Sequence, residues 1–263
     1  EINLNLVVRE GPRVFVERID IGGNVRTVDS VVRREIRLVE GDAFDVGKLR
    51  KSRQRISDLN FFENVKIKQE PGSARDKAVI KIDVEEKSTG SLNLGVGYGT
   101  DAGALVDVTL RERNLLGLGQ HLSIATTLAA EKSSINLSFT EPYFMDREVS
   151  AGIDLFHVRR DFQDTRSHDT QNTGFGVRSG YPLNPLLSQN WKYGFDYAKI
   201  TNVGNLASPL IKQQEGTRIS SAVTHGLLYD TRDSKFNPTE GFVSQFSNQL
   251  AGVGGDVFYF KNI

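Results

Sequence analysis

Gly95-Val96-Gly97-Tyr98-Gly99 is the run whose residue types first suggest chemistry. A glycine-rich loop holds phosphate when a helix opens directly behind it, so that free amides and the helix dipole face the anion. No helical period follows this run, so phosphate binding is not expected. Its apolar residues alternate instead with small ones: Leu92, Leu94, Val96 and Tyr98 against Asn93, Gly95, Gly97 and Gly99. That is a strand, and a strand offers a row of amides and carbonyls that can pair with a second strand. The histidines, His121, His157, His168 and His225, lack the spacing of metal ligands. Asp230 and Asp233 stand close enough to suggest calcium, but no EF-hand pattern surrounds them, and a turn with an Asp–Arg pair is the plainer reading. No nucleophile-elbow motif appears, and the absence of cysteine removes thiolate chemistry. No enzymatic activity, cofactor or metal is expected.

The elements that position this strand belong to a chain of 263 residues, enough for two ordinary domains. Lys plus Arg is 33 and Asp plus Glu is 33, so there is no basic excess of the kind that nucleic-acid binding needs. Mean hydropathy is −0.35. That value fits a soluble protein and equally a transmembrane β-barrel, where only every second residue meets lipid. No run approaches the about 18 to 20 apolar residues of a spanning helix. The opening EINLNLVVR alternates like a strand rather than a signal peptide, and the closing VFYFKNI reads as a strand cut short. A piece of a longer protein is expected.

Residues 1–87 mix two periods. Val14, Val16, Arg18 and Asp20 alternate with Phe15, Glu17, Ile19 and Ile21, a strand without a clean polar face, which Gly22-Gly23 stop. Thr27 is placed to cap a helix, with Val28, Val32 and Ile36 on one stripe and Glu40-Gly41 closing it. Asp45 caps a second helix with an apolar stripe of Val46, Leu49, Ile56 and Leu59, and Asn60 ends it. Strands at Val65–Ile67 and Ala78–Val84 follow, joined by a turn at Pro71-Gly72-Ser73. Strand, helix, helix, strand, strand makes a small α+β domain with two helices on one face of a sheet.

From Ser91 onward the helical period vanishes. Ten alternating segments follow, from Leu92–Tyr98 through Val106–Leu110, Leu122–Leu128, Ile135–Phe139, Val149–Leu155, Phe175–Tyr181, Trp191–Tyr197, Ile219–Tyr229 and Phe242–Leu250 to one beginning at Val257. Regular strands of about ten residues with turn-rich joints mark an antiparallel transmembrane β-barrel, incomplete in this chain. Aromatic residues near strand ends suit interfacial girdles. The stretches 159–172 and 201–217 read as long polar extracellular loops. A soluble barrel or sandwich also alternates. It would need a dense apolar core, however, and here the second face is glycine, small residues and charge. A spanning sheet must close, so the barrel is expected to continue past Ile263.

The residues themselves carry a resemblance. RVFVERIDIGGN, RREIRLVEGD, NFFENV and VIKIDVEEK resemble a POTRA domain over residues 10–88, with 1–9 as the last strand of a preceding one and Glu10-Gly11-Pro12 as the joint. EEKSTGSLNLGVGYGT, RERNLLGLGQ, SFTEPYF and LYDTRDSKFNPTEG resemble the strand–turn motifs of the BamA-type family of outer-membrane assembly factors, making 89–263 the first nine to ten barrel strands. The VRGF-bearing loop that this family carries later in its barrel is absent.

The resemblance implies assembly and insertion of β-barrel proteins into the bacterial outer membrane, with the POTRA domain in the periplasm. Its implied partners are unfolded outer-membrane β-barrel substrates, periplasmic lipoproteins and the lipid bilayer. The strand expected to template substrate is Leu92, Asn93, Leu94, Gly95, Val96, Gly97, Tyr98 and Gly99, running to Thr100. Its glycines either loosen it for exchange or merely relieve crowding in the lumen; both readings stand. A lipoprotein partner is expected at the first-helix segment, through Arg33, Arg37 and Glu40, against the alternative of a solvated charged face. The other functional readings are a two-partner-type secretion pore, an autotransporter-assembly factor, and a structural barrel without insertase activity.

Overall fold

The central strand of the first domain sets its core. In β3 (Lys77–Glu86), Ala78, Ile80, Ile82 and Val84 are buried and the residues between them are not. This is the period-two pattern of a half-buried strand. The structure is a computed structural model that describes residues 13–99, 103–161, 168–205, 207–233 and 238–262. The strand expected at 1–9, the joint Glu10-Gly11-Pro12 and Thr100 lie outside the described residues. The chain divides into two units, one of Glu1–Thr89 with Leu116–Gly119, the other of Gly90–Leu115 with Gln120–Ile263.

In the first unit β3 lies between β1 (Phe15–Gly22), parallel to it, and β2 (Phe62–Pro71), antiparallel. The missing polar face of β1 has a cause. The register with β3 slips between Val16 and Arg18, so Val16 and Ile19, three apart, both face the core. A bulge adds one residue and reverses the parity beyond it. A second slip between Phe62 and Asn64 does the same inside NFFENV, burying Phe62 and Val65. Both bulges fall on the two outer strands of this three-stranded sheet.

Helix α2 (Val46–Asp58) starts where the Asp45 side chain accepts the Lys48 N–H at 3.0 Å. Asn60, at φ 59°, turns the chain out after it. Ile56 is fully buried and Leu49 and Leu59 pack on the same core, whereas Val46 is exposed. Burying a side chain such as Ile56 contributes about 1.5–3 kcal/mol. Helix α1 corrects the sequence expectation. It spans only Asp29–Arg33, its N-cap is Val28 without a side-chain bond, and Val31 and Val32 are its buried residues while Val28 is exposed. Thr27 and Glu40-Gly41 do not bound it. The Thr27 N–H is taken by Glu86 Oε1 at 2.7 Å, and Gly41 N–H donates to the Val16 carbonyl on β1.

The second unit is one antiparallel sheet of ten strands in sequence order. They are β4 (Gly90–Gly99), β5 (Gly103–Leu115), β6 (Gln120–Ala129), β7 (Lys132–Glu141), β8 (Ser150–Asp161), β9 (Asp169–Pro182), β10 (Leu187–Thr201), β11 (Gly216–Asp230), β12 (Val243–Ala251) and β13 (Tyr259–Asn262). The expected loop at 159–172 is shorter than its polarity suggested, since β8 and β9 reach Asp161 and Asp169. The one at 201–217 contains a short helix α3 (Pro209–Gln213) capped by Ser208. β4 and β13 are the outermost strands of the sheet, which is not closed.

Two adjacent rows decide what solvent this sheet needs. In register, Phe139, Ile153, Val177, Tyr193, Val223 and Leu250 stand side by side across β7 to β12. One residue further along, Thr140, Gly152, Arg178, Lys192, Thr224 and Gln249 form the next row, pointing to the other face. The apolar row is the uncovered one: Ile153 and Val177 are each 48% exposed. A soluble sheet hides that face under a second layer. Here the apolar face lies open, as on the lipid side of a membrane barrel.

Candidate functional site

β4 is assembled by hydrogen bonds to β5 alone, from Gly90↔Glu112 to Gly99↔Gly103. Its other edge has no partner among the described residues. Leu92, Leu94, Val96 and Tyr98 lie on the open apolar face and are 61–86% exposed. Asn93, Gly95, Gly97 and Gly99 point to the other. The glycines at 95 and 97 are not required by space among the described residues. A Cβ at Gly95 meets nothing nearer than Asp107 Cβ at 3.6 Å, and one at Gly97 nothing nearer than Leu105 at 3.5 Å, both ordinary contacts. Gly174 differs, since a Cβ there would overlap the Phe195 carbonyl oxygen and the Phe156 ring. Crowding among the described residues therefore accounts for Gly174 and does not reach Gly95 or Gly97. What remains at those two positions is the looser backbone and the missing side-chain packing that glycine brings to a strand.

In the first unit the structure gives Arg33 and Glu40 a role that sequence did not indicate. Glu40 Oε1 accepts the Ile19 N–H at 3.0 Å, and the Arg33 guanidinium reaches the Ile19 carbonyl at 3.4 Å while holding Asp29 at 2.8 Å. Both close the outer edge of β1. Residues 41–44 cover the rest of it: Gly41 N–H to Val16 O, Val16 N–H to Asp42 O and Phe44 N–H to Val14 O, at 2.7–2.8 Å. Arg37 is exposed, and its N–H donates to Ser52 Oγ at 2.8 Å. The segment is tied to α2 by buried Glu35, whose carboxylate meets Arg55 at 2.8 Å. β1 is thus shielded from strand addition, whereas β2 pairs only with β3 among the described residues. Glu86 anchors the chain ahead of α1, accepting from the Arg26 and Thr27 N–H groups at 2.7–3.2 Å. Burial pushes its carboxyl up, but the Thr27 hydroxyl and those two amides outweigh it and hold it below its ordinary value.

The non-lipid face of the sheet holds a cluster that sequence reasoning passed over. Arg178 donates to Asp154 Oδ2 at 3.0 Å, Ser138 Oγ at 2.7 Å and Thr140 Oγ1 at 2.8 Å. Ser138 Oγ in turn donates to Asp154 Oδ1 at 2.8 Å, and Lys192 Nζ stands 3.9 Å from Asp154. One guanidinium therefore joins three strands. The available signal was charge at strand positions of matching parity, Asp154, Arg178 and Lys192.

The turn motifs are built from side-chain caps. Glu141 of SFTEPYF accepts from Gln120 Nε2 and Tyr143 N–H at 2.8 and 2.9 Å. In LYDTRD, Asp230 is gripped by the Arg232 fork at 2.7 and 2.9 Å, and Asp233 accepts from Thr239 and Glu240. Both carboxylates are engaged by the protein itself. Of the histidines, His225 packs at a tilt against Trp191 with ring centres 4.5 Å apart, His157 bonds Thr173 at 2.7 Å, and His168 is buried. The structure does not bring them together.

Comparison with known proteins agrees with this architecture. Residues 114–262 match the Omp85 superfamily domain, and residues 14–87 match the POTRA family, described as a surface antigen variable number repeat. The outer membrane protein assembly factor BamA of Nitratidesulfovibrio vulgaris is 33% identical over 264 residues, covering 100% of this chain and 33% of that protein. The chain thus spans about a third of the length of the curated relative it matches. A crystal structure of BamA from Haemophilus ducreyi lacking POTRA domains 1–3 superposes with a TM-score of 0.69 at 26% identity, over 94% of this chain and 50% of that one. CdiB from Acinetobacter baumannii reaches 0.59 at 11% identity, over 94% and 47%, a likeness of fold alone.

Proposed function

The chain belongs to the Omp85 superfamily, and on that premise we propose that it serves the assembly and insertion of β-barrel proteins into the bacterial outer membrane. The sheet lies in that membrane and the POTRA domain in the periplasm. An unfolded barrel protein cannot expose unpaired backbone groups to lipid. A strand edge that lends its amides and carbonyls solves this by β-augmentation. The observation that carries the reading is the glycine pair at 95 and 97 in β4, positions where a Cβ would meet only ordinary contacts among the described residues. The BamA relatives, named as assembly factors, support it. Leu92 to Gly99 is the templating strand. In the POTRA domain the free edge for an incoming strand is β2, because β1 is covered. Periplasmic lipoproteins are the partners of the segment bearing Arg33, Arg37 and Glu40. No catalytic group or cofactor enters this function.

A two-partner-type secretion pore is the second reading, sharing the fold. The test reconstitutes the full-length protein bearing this chain in liposomes and follows the folding of an unfolded porin. Faster folding, lost on deleting residues 10–88, supports assembly. No acceleration, but conductance and passage of a secreted polypeptide, replaces it with the pore.

A further inference from the structure

On β8 to β10 the apolar face of the sheet carries basic residues at one height only. In register, Arg159 stands opposite Gln171 and Gln171 opposite Lys199. By parity all three point to the lipid side. Arg159 continues the series Ile153, Leu155, His157, and Lys199 the series Tyr193, Phe195, Tyr197. A charged side chain on the lipid face is tolerated only near the bilayer surface. The row sits there. It lies at the end of the sheet opposite Gly90, one step beyond His157, Thr173 and Tyr197, and Tyr197 is the residue type of an interfacial girdle. Trp191, eight residues back along β10, marks the other girdle. That is about 27 Å of strand, which at a tilt of about 40° spans about 21 Å of height, within the about 25 Å of an outward apolar band.

Arg159 is exposed, and neither it nor Lys199 forms an ion pair among the described residues. Arg159 also lines a cleft of about 190 Å³ with Ala129, Ala130, Glu131, Lys132, Ser133 and Asp161. Glu131 and Asp161 set two carboxylates in the same cleft, whereas Asp169, opposite Asp161, is buried and accepts from Asn202. The arrangement pairs cations at the level of the lipid surface with acceptors just beyond them. Phosphate suits the first and sugar hydroxyls the second.

We propose that Arg159, Gln171 and Lys199, with Lys132 in the cleft, bind the phosphorylated sugar headgroup of a glycolipid in the outer leaflet. The phosphate lies on Arg159 and Lys199, and the sugar hydroxyls donate to Glu131 and Asp161. The carboxylates bar a bare phosphate from moving further out. This rests on the outer-membrane reading above, which makes that end of the sheet the outer leaflet.

The full-length protein in neutral detergent is titrated with diphosphorylated lipid A, and adducts are counted by native mass spectrometry. Parallel arms use dephosphorylated lipid A and inorganic phosphate. The expected result is binding of lipid A alone, weakened about thirtyfold in the double variant R159Q/K199Q. Equal binding of the dephosphorylated lipid, or an unchanged double variant, overturns the site, and displacement by inorganic phosphate overturns the lipid as its occupant. Heat-dependent gel mobility verifies that the variant barrel is folded. Porin folding is followed with the same proteins in phosphatidylcholine vesicles free of lipid A, where the variant should match the wild type. Lipid A binding without porin acceleration upholds this site and removes the assembly reading; acceleration without binding does the reverse.

Discussion

The Glu40 carboxylate accepts the Ile19 backbone N–H at 3.0 Å, closing the edge of β1 from 21 residues away. A charge-assisted bond of this kind is worth about 1.5–3 kcal/mol. Glu40→Ala should therefore destabilise the POTRA domain by about 1–2 kcal/mol and speed exchange of the Ile19 amide. Glu40→Gln keeps an acceptor and should recover most of that loss. Lipoprotein binding measured on both variants separates two roles. Binding lost in both marks the charge as a contact, whereas binding lost only in Glu40→Ala marks the covered edge as what matters.

Gly95→Ala with Gly97→Ala tests why β4 is glycine-rich. Since a Cβ fits at both positions, the double variant should fold and resist urea as well as the parent, gaining up to about 1 kcal/mol from a less free unfolded chain. Porin assembly should slow, because the strand exchanges less readily. Gly174→Ala should instead lose about 1–3 kcal/mol through overlap with Phe195 and Phe156. Undiminished assembly by a stable Gly95→Ala/Gly97→Ala protein would remove the glycines from the mechanism.

Arg178 joins β7, β8 and β9 through one guanidinium. Arg178→Ala leaves Asp154 half-buried without its main cation and should cost about 2–3 kcal/mol in urea unfolding. Arg178→Lys should rescue little, because an ammonium cannot present the planar fork that meets three acceptors at once. A double-mutant cycle with Asp154→Asn measures the coupling. Additive losses would show that the pair is not a unit.

Glu86 makes the POTRA domain sensitive to acid. Its folded carboxyl lies below the ordinary value of 4.5. Its contribution is full above pH 4.5 and is lost as pH falls through the lowered folded value. Glu86→Gln should lower stability at neutral pH and flatten its fall below pH 4.5. The check is chemical denaturation across pH, and an unaltered slope would detach Glu86 from acid unfolding.

How legible all this was depends on what decides each element. β3 and the ten sheet strands follow a strict period of two, so Ile80, Ile82 and the rows through Ile153 and Val177 could be read directly from the sequence. β1 could not be read this way, because a bulge at Glu17 inverts the parity between Val16 and Ile19, and no residue type announces it. The first helix was overdrawn because Val28, Val32 and Ile36 fit a helical stripe, while tertiary bonds decide its ends: Glu86 claims Thr27, and the β1 edge claims Gly41. Arg33 and Glu40 drew notice as exposed charges. That they serve one backbone residue, Ile19, is a long-range fact invisible in local pattern. Arg178 hid for the same reason, its partners lying on two other strands.

The most direct test of strand templating uses the lack of cysteine in this chain. Single cysteines at Asn93 in β4 and at Asn136 in β7 are introduced into the full-length protein with any cysteine outside this chain replaced by serine, and a porin with a cysteine in its terminal strand is folded against each in liposomes under mild oxidation. The account predicts a disulfide adduct at Asn93 that rises during folding and falls once the porin closes, with none at Asn136. No adduct at Asn93 while folding proceeds, or equal adducts at both positions, would contradict it.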